Sequence, residues 1–405
     1  MVSALDPGAP FGDRLRYFRE RAGKSRPVLG QLVGRSGEWV KALETGRLSM
    51  PRLSMLLRLA ELLGVDDLAQ LTGDQRLTTA SFGKAAHEDL GPVSRALVHR
   101  SLLPADEPPI PDELAGRVSQ AWQLWHGSRR HRTAVAVLLP SLLDDARTAA
   151  RRLDGAERRS ALRSQAQIYH LAQLYLSFQP AQELVTLAGD RAMTAAEDAD
   201  DPAAIAASAW YVNHVYRDAG QQHEARVQLA LDATKLLRPE TDTEHRALFG
   251  LLHLAASLSY AKVGREGDAW RHWDQADQAV AALPGGYVHP WLVFGRGMLD
   301  AYAVTVHNDL MAPGKAARAG ERLDLATMPS ATRRSFHLIE QARAHGLRRE
   351  PVATLSLLQL AHDEASETAR YNLFTRGAVR ELAQAGPSSI RRQAVRFAEA
   401  LDLAG

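Results

Sequence analysis

From Asp112 to its end the chain repeats apolar residues at helical spacing and never alternates them over a strand-length run. A sheet needs period-two faces, so a chain patterned this way can bury its apolar stripes only by laying helix on helix. The periodicity predicts helices over 112–126, 132–153, 157–178, 181–197, 202–219, 222–237, 244–263, 267–282, 289–307, 314–325, 330–344, 352–366, 371–385 and 388–401. The breaks between them are short clusters of Gly, Pro and Asp, so successive helices should pair as antiparallel hairpins. An all-α body follows.

The body also carries an internal echo. When the stretch around Tyr216 is laid on the stretch around Tyr260, Gly220 falls on Gly264 and Ala225 on Ala269, all 44 positions apart. Tyr packing across a hairpin, Gly at its turn and Ala where helices touch is a repeat logic, and stacked repeats leave a concave inner face. On the helix that begins at Pro202, the residues Trp210, His214 and Arg217 share one stripe at i, i+4 and i+7. Two readings of that stripe stand open. Either Trp210 is core and Arg217 solvated, or the three are ligand-binding residues, with Arg217 holding a carboxylate and Trp210 enclosing an apolar group.

The N-terminal stretch reads differently. Between Phe11 and Arg58 stand eleven Arg/Lys and four Asp/Glu, a net +7 that leaves −5 for the remainder of a chain whose total is +2. A basic head on an acidic body points to a polyanion partner for the head. Phe11, Leu15 and Phe18 fall on one face of a first helix ended by Gly23. Ser25 caps a second helix with Pro27 in its first turn, and Gly34 stops it in the left-handed conformation. Ser36 caps a third through Leu43, Gly46 ends that, and an apolar helix from Leu53 to Leu63 closes the unit at Gly64. Two short helices across a three-residue turn have the shape of a helix-turn-helix. Gly30 is small where the second helix must approach the third. The polar joint that follows should hold helices over 82–90 and 93–102, then a semi-stiff linker from Leu103 to Pro111, where the prolines forbid a helix.

Composition removes other functions. With no Cys there are no disulfides, thiolate metal sites or cysteine nucleophiles, and a reducing cytoplasmic setting is expected. The start of the chain has no basic-then-apolar leader, and the most apolar stretches are broken by Pro140 or by His253 and Ser257, so no membrane span is expected. The 43 Arg against 6 Lys match the bias of a G+C-rich bacterial genome. The motifs of hydrolases, zinc proteases, P-loop enzymes and dinucleotide folds are all missing; Gly295-Arg-Gly297 lacks the third glycine. The 15 His scatter without ligand spacing. No catalytic residue, metal ligand or cofactor is nominated, and the expectation is a non-enzyme.

On the paired helices, Gly34–Ser36, the Glu44–Arg47 run and the Leu-rich closing helix, residues 11–65 resemble the lambda-repressor/Cro-type (XRE) helix-turn-helix family of DNA-binding regulators. What that resemblance implies is a five-helix domain over 1–75 that binds double-stranded DNA, as a homodimer on a palindromic site. Arg26 and Arg47 then become phosphate contacts, Ser36 the cap of the reading helix, and Gly37, Glu38 and Lys41 the base-edge candidates, with Trp39 at the groove rim. Arg35 departs from the family's apolar turn residue. Glu38 either accepts from a cytosine amino group or only stabilises the helix dipole; Trp39 either meets DNA or is buried; Lys41 either contacts DNA or is solvated. Residues 76–111 are read as a linker. Residues 112–405 resemble degenerate tetratricopeptide repeats in an α-solenoid, and the whole resembles in architecture the peptide-sensing RRNPP regulators, which implies a short peptide or other small ligand in the body. The competing function is a repeat scaffold whose head no longer binds DNA.

Overall fold

The computed structural model describes residues 6, 8–73, 84–99, 107–217 and 223–403, and of 214–217 the backbone alone. It is all-α, with no strand among the described residues. The head contains α1 (Phe11–Arg21), α2 (Arg26–Leu32), α3 (Gly37–Glu44), α4 (Leu53–Leu63) and α5 (Leu68–Thr72). Leu15, Phe18, Leu29, Val40, Leu43, Leu59 and Leu71 form its core. Ser25 and Ser36 cap α2 and α3 by accepting from the N–H of Val28 and Trp39. Gly34 sits at φ +65° in the turn, and a Cβ on Gly30 would lie 2.8 Å from the carbonyl oxygens of Arg35 and Ser36. The turn therefore requires glycine at both positions. Below α3 the Glu44 carboxylate is 1% exposed and accepts from Arg19 at 2.5 Å and from Arg26 at 2.7 Å.

The body starts with α6 (Leu90–Val98), α7 (Pro111–Gly127), α8 (His131–Ala136) and α9 (Leu139–Arg152). It continues through α10 (Gly155–Leu176), α11 (Gln182–Asp198), α12 (Pro202–Arg217), α13 (His223–Thr234), α14 (Thr243–Lys262) and α15 (Glu266–Ala281). Then follow α16 (Arg296–Asp309), α17 (Pro313–Glu321), a 3₁₀ turn, α18 (Ala331–Leu347), α19 (Pro351–Glu364), α20 (Ser366–Tyr371), α21 (Leu373–Ala385) and α22 (Ser388–Ala400). From α7 on, each helix packs on its sequence neighbour, while α6 packs on α9, α10 and α11. In addition α10 touches α12, α12 touches α14, α14 touches α16 and α16 touches α18. These first helices of successive hairpins make an inner layer, with the second helices outside. The layer closes, because α7 touches both α10 and α18.

Polar contacts seal the closure. His126 meets the Ser330 hydroxyl at 2.8 Å and the Trp291 carbonyl at 2.9 Å, and Glu367 accepts from the Arg132 N–H at 2.5 Å. Inside the ring aromatic residues pack together: Trp122 tilted against Trp291 at 5.0 Å between centroids, Tyr211 stacked on Trp291, and Tyr211 stacked on His170 at 4.5 Å.

Differences from the sequence expectation follow mostly from proline and capping. The helix expected over 132–153 divides into α8 and α9 beside Pro140. The one expected from 289 starts only at Arg296. Pro290 precedes a tight loop in which Val293 has φ +59° and the His289 N–H donates to the Phe294 carbonyl at 2.9 Å. That expected over 371–385 is broken at Asn372, whose side chain caps α21. In the joint, 84–89 is not helical and α6 packs Val93 and Leu97 into the body core. Most of the helix expected over 93–102 thus belongs to α6, while 74–83 and 100–106, with parts of the expected helices and linker, lie outside the described residues. In the second copy of the 44-residue echo, Gly264 is a turn glycine at φ +80° and Ala269 is buried. Ala225 is exposed where Ala269 is buried, so α13 does not keep that register; Gly220 and the Tyr216 side chain lie outside the described residues.

Candidate nucleic-acid interface

The N-terminal end of α3 presents the residues singled out for DNA. Ser36 is held as its cap, and Gly37 rests on the Pro27 ring. Glu38 and Lys41, one turn apart and exposed, pair at 3.2 Å. Trp39 is half-buried against the head core with the Arg35 guanidinium 5.9 Å above its ring. Arg47 is exposed in the loop after α3. Arg26 is tied to Glu44, with 35% of its side chain accessible. Arg26, Lys41, the capped N-terminus of α3 and Gly37 therefore share one face. That face suits a phosphate backbone, because the free N–H groups and partial positive charge of a helix start add to the side-chain charge.

This face is not open. It lines a crevice of about 650 Å³ whose other wall is His223, Glu224, Val263, Gly264 and Arg265 of the body. The α14–α15 turn abuts the cap of α3 so closely that a Cβ on Gly264 would lie 2.5 Å from that of Ser36. A second tie joins the guanidinium of Arg349 to the Thr45 carbonyl at 3.2 Å. A duplex cannot enter the space that the α14–α15 turn fills. Sequence reading missed this contact: Gly264 was legible as a turn glycine, but nothing in a linear pattern shows what a turn touches.

The second candidate site resolves only in part. Trp210 is 1% exposed and packs edge-on to Tyr302 at 6.1 Å, inside the body core. The side chains of His214 and Arg217 lie outside the described residues. Burial pushes His126 down to about 4 and His131, His170 and His337 down to about 3, because the charged form would lose its water. His87, Glu88 and Asp89 come within 4.8 Å of one another. Both ring nitrogens of that histidine already meet neighbours, the Thr133 hydroxyl at 3.1 Å and the Asp89 N–H at 3.1 Å.

Residues 10–72 match the family model described as Helix-turn-helix domain. The chain thus carries a helix-turn-helix domain, set on an all-α body. No curated protein sequence matches the chain significantly. None of the body's described helices is long and apolar enough to cross a membrane.

Proposed function

We propose that the chain is a DNA-binding transcription regulator of the XRE type, and that the arrangement described above is its closed state. The observation that carries this reading is the contact of Gly264 with Ser36: the body covers the end of α3 that would enter the major groove. DNA binding then requires the head to leave the α14–α15 turn. Any ligand with unequal affinity for the closed and open arrangements shifts DNA affinity by the ratio of those affinities. The body, a tetratricopeptide-like solenoid, would supply the ligand site and the contacts of a homodimer on a two-half-site operator. A short peptide or other small carboxylate is the ligand class favoured by its cationic lining.

The test is Gly264→Asn. Asparagine tolerates the left-handed backbone of that turn, so the hairpin survives while the new Cβ is driven into Ser36. Fluorescence anisotropy on the promoter of the protein's own operon should show about tenfold tighter binding, a shift of about 1.4 kcal/mol. Equal or weaker binding by a folded variant would remove the closed state from the account. Failure of the wild-type chain to bind any duplex in a salt-dependent way would favour the scaffold reading.

A further inference from the structure

Between the head and the inner ring, adjoining the crevice at α3, lies a cavity of about 1560 Å³. Its head wall includes Leu32, Met55 and Leu57; Leu57 is 52% exposed and Leu32 43%, although both are large and apolar. Its body wall is built from the first helices of the hairpins, which bring Gln173, Tyr211, Tyr302 and Arg333 together from α10, α12, α16 and α18.

Those four residues are unevenly satisfied. The Tyr211 hydroxyl and the Gln173 side-chain oxygen are buried with no hydrogen-bond partner, at residues 1% and 3% exposed. A buried polar atom without a partner is costly, and such atoms gather where a ligand or ordered water completes the set. Among the described residues, the arginines and lysines that the body brings to this wall are engaged elsewhere with one exception. Arg343 and Lys262 both bind Asp309, at 2.9 and 3.4 Å, and Arg132 donates to the Leu174 carbonyl at 3.2 Å. Lys84 meets the Gln182 amide oxygen. Arg333, half-buried, donates from its guanidinium to the Tyr302 hydroxyl at 3.3 Å, and among the described residues it forms no ion pair with a carboxylate. An arginine fork on a partly apolar wall is a carboxylate receptor, since its planar donors match two carboxylate oxygens.

We infer that this cavity binds a small anionic amphiphile, a carboxylate joined to an apolar group, with the carboxylate on Arg333 and the apolar part against Leu32, Met55 and Leu57. The inference deepens the regulator reading and rests on it for its consequence: a ligand touching both walls binds the closed arrangement better than the open one, and so lowers DNA affinity. The carboxylate can belong to a free acid or to the C-terminus of a short peptide, for which the volume also has room.

The test uses the full chain and a matched pair of fluorescent probes, 1-pyrenebutyrate and the neutral 1-pyrenebutanol, titrated without DNA. The acid should bind at least tenfold more tightly. Arg333→Met should abolish that preference and Arg333→Lys restore part of it. Leu57→Asp, at an exposed position that leaves folding intact, should weaken the acid at least tenfold by placing a like charge in the cavity. Equal binding of the two probes, or a preference untouched by both Arg333→Met and Leu57→Asp, overturns the site. Decanoate and the tripeptide Ala-Leu-Phe then compete with bound pyrenebutyrate; whichever displaces it at lower concentration names the source, and displacement by neither overturns the assignment. Saturating pyrenebutyrate should weaken promoter binding about tenfold. If the probe binds as expected and the chain binds no DNA with or without it, the site stands and the regulator reading falls.

Discussion

In the head, Glu44, the one deeply buried carboxylate among the described residues, is met by two guanidiniums, and no described head side chain leaves a buried polar atom without a partner. In the body, Tyr211, Gln173, His170 and His337 all carry buried nitrogen or oxygen atoms with none. The head uses interior polarity to fix its own geometry and keeps its working cations outside. The body keeps polar groups inside, around a ring whose mouth faces the head. That difference teaches where to look for chemistry: on the surface of the first region and in the interior of the second.

Histidine breaks the comparison most sharply, because all 15 lie beyond the head, the first being His87. Burial holds His126 at about 4 and His131, His170 and His337 at about 3. Their folded values are below the unfolded one, so the native state loses stability as pH falls below about 6.5 towards those values, when only the unfolded chain takes up protons. The loss reaches about 2 kcal/mol per group at pH 5. Glu367, held at about 2 against the upward push of its burial by nearby His87 and by the Thr133 hydroxyl that donates to its carboxylate, adds a loss at still lower pH. Calorimetry between pH 7 and 5 should show the body's transition moving down steeply while the head's stays. Parallel movement of both would mean that they unfold as one unit.

The next effect is Trp122→Ala. Trp122 is 2% exposed, stacks on His126 and packs tilted against Trp291 in the ring interior. Its loss should destabilise the body by about 4 kcal/mol in denaturant titration. Arg19→Ala comes after it, in the head. With the Arg19 side chain 8% exposed and Glu44 1%, removing one guanidinium leaves a buried carboxylate served by Arg26 alone. A loss of about 3 kcal/mol, confined to the head transition, is expected; a near-neutral result would show that Arg26 suffices.

Most of this architecture was legible locally. α1 and α4 begin and end where periodicity and glycines place them, and Gly30 and Gly34 have the roles that turn sterics assigned. What failed was internal punctuation, at Pro140, Pro290 and Asn372, where an apolar pattern runs on through a break in the backbone. What could not be read was long-range. The closure of α7 on α18 joins residues some two hundred positions apart, and Glu367 reaches Arg132 across 235. The Gly264–Ser36 contact is of the same kind. Arg333, Tyr211 and Gln173 carry no shared motif because they meet only when three hairpins stack, whereas the Trp210 stripe was visible as a stripe and proved to start in the core.

The smallest expected effects divide the head's own face. Arg26→Ala is a poor probe of DNA contact, since it also strips a partner from Glu44; Arg47, exposed in the loop after α3, is cleaner. Arg47→Ala should weaken binding to every duplex alike and flatten the salt dependence by about one unit, the mark of one lost phosphate contact. Glu38 acts, if it acts at all, on sequence. Its pair with Lys41 is a surface contact on one helix, so Glu38→Ala should leave thermal stability unmoved. If the carboxylate accepts from a cytosine amino group, the variant loses discrimination at one base pair and nothing elsewhere. A uniform gain in affinity across all duplexes would instead show Glu38 as a repulsive charge, and Lys41, released from it, as the residue that reaches the phosphates.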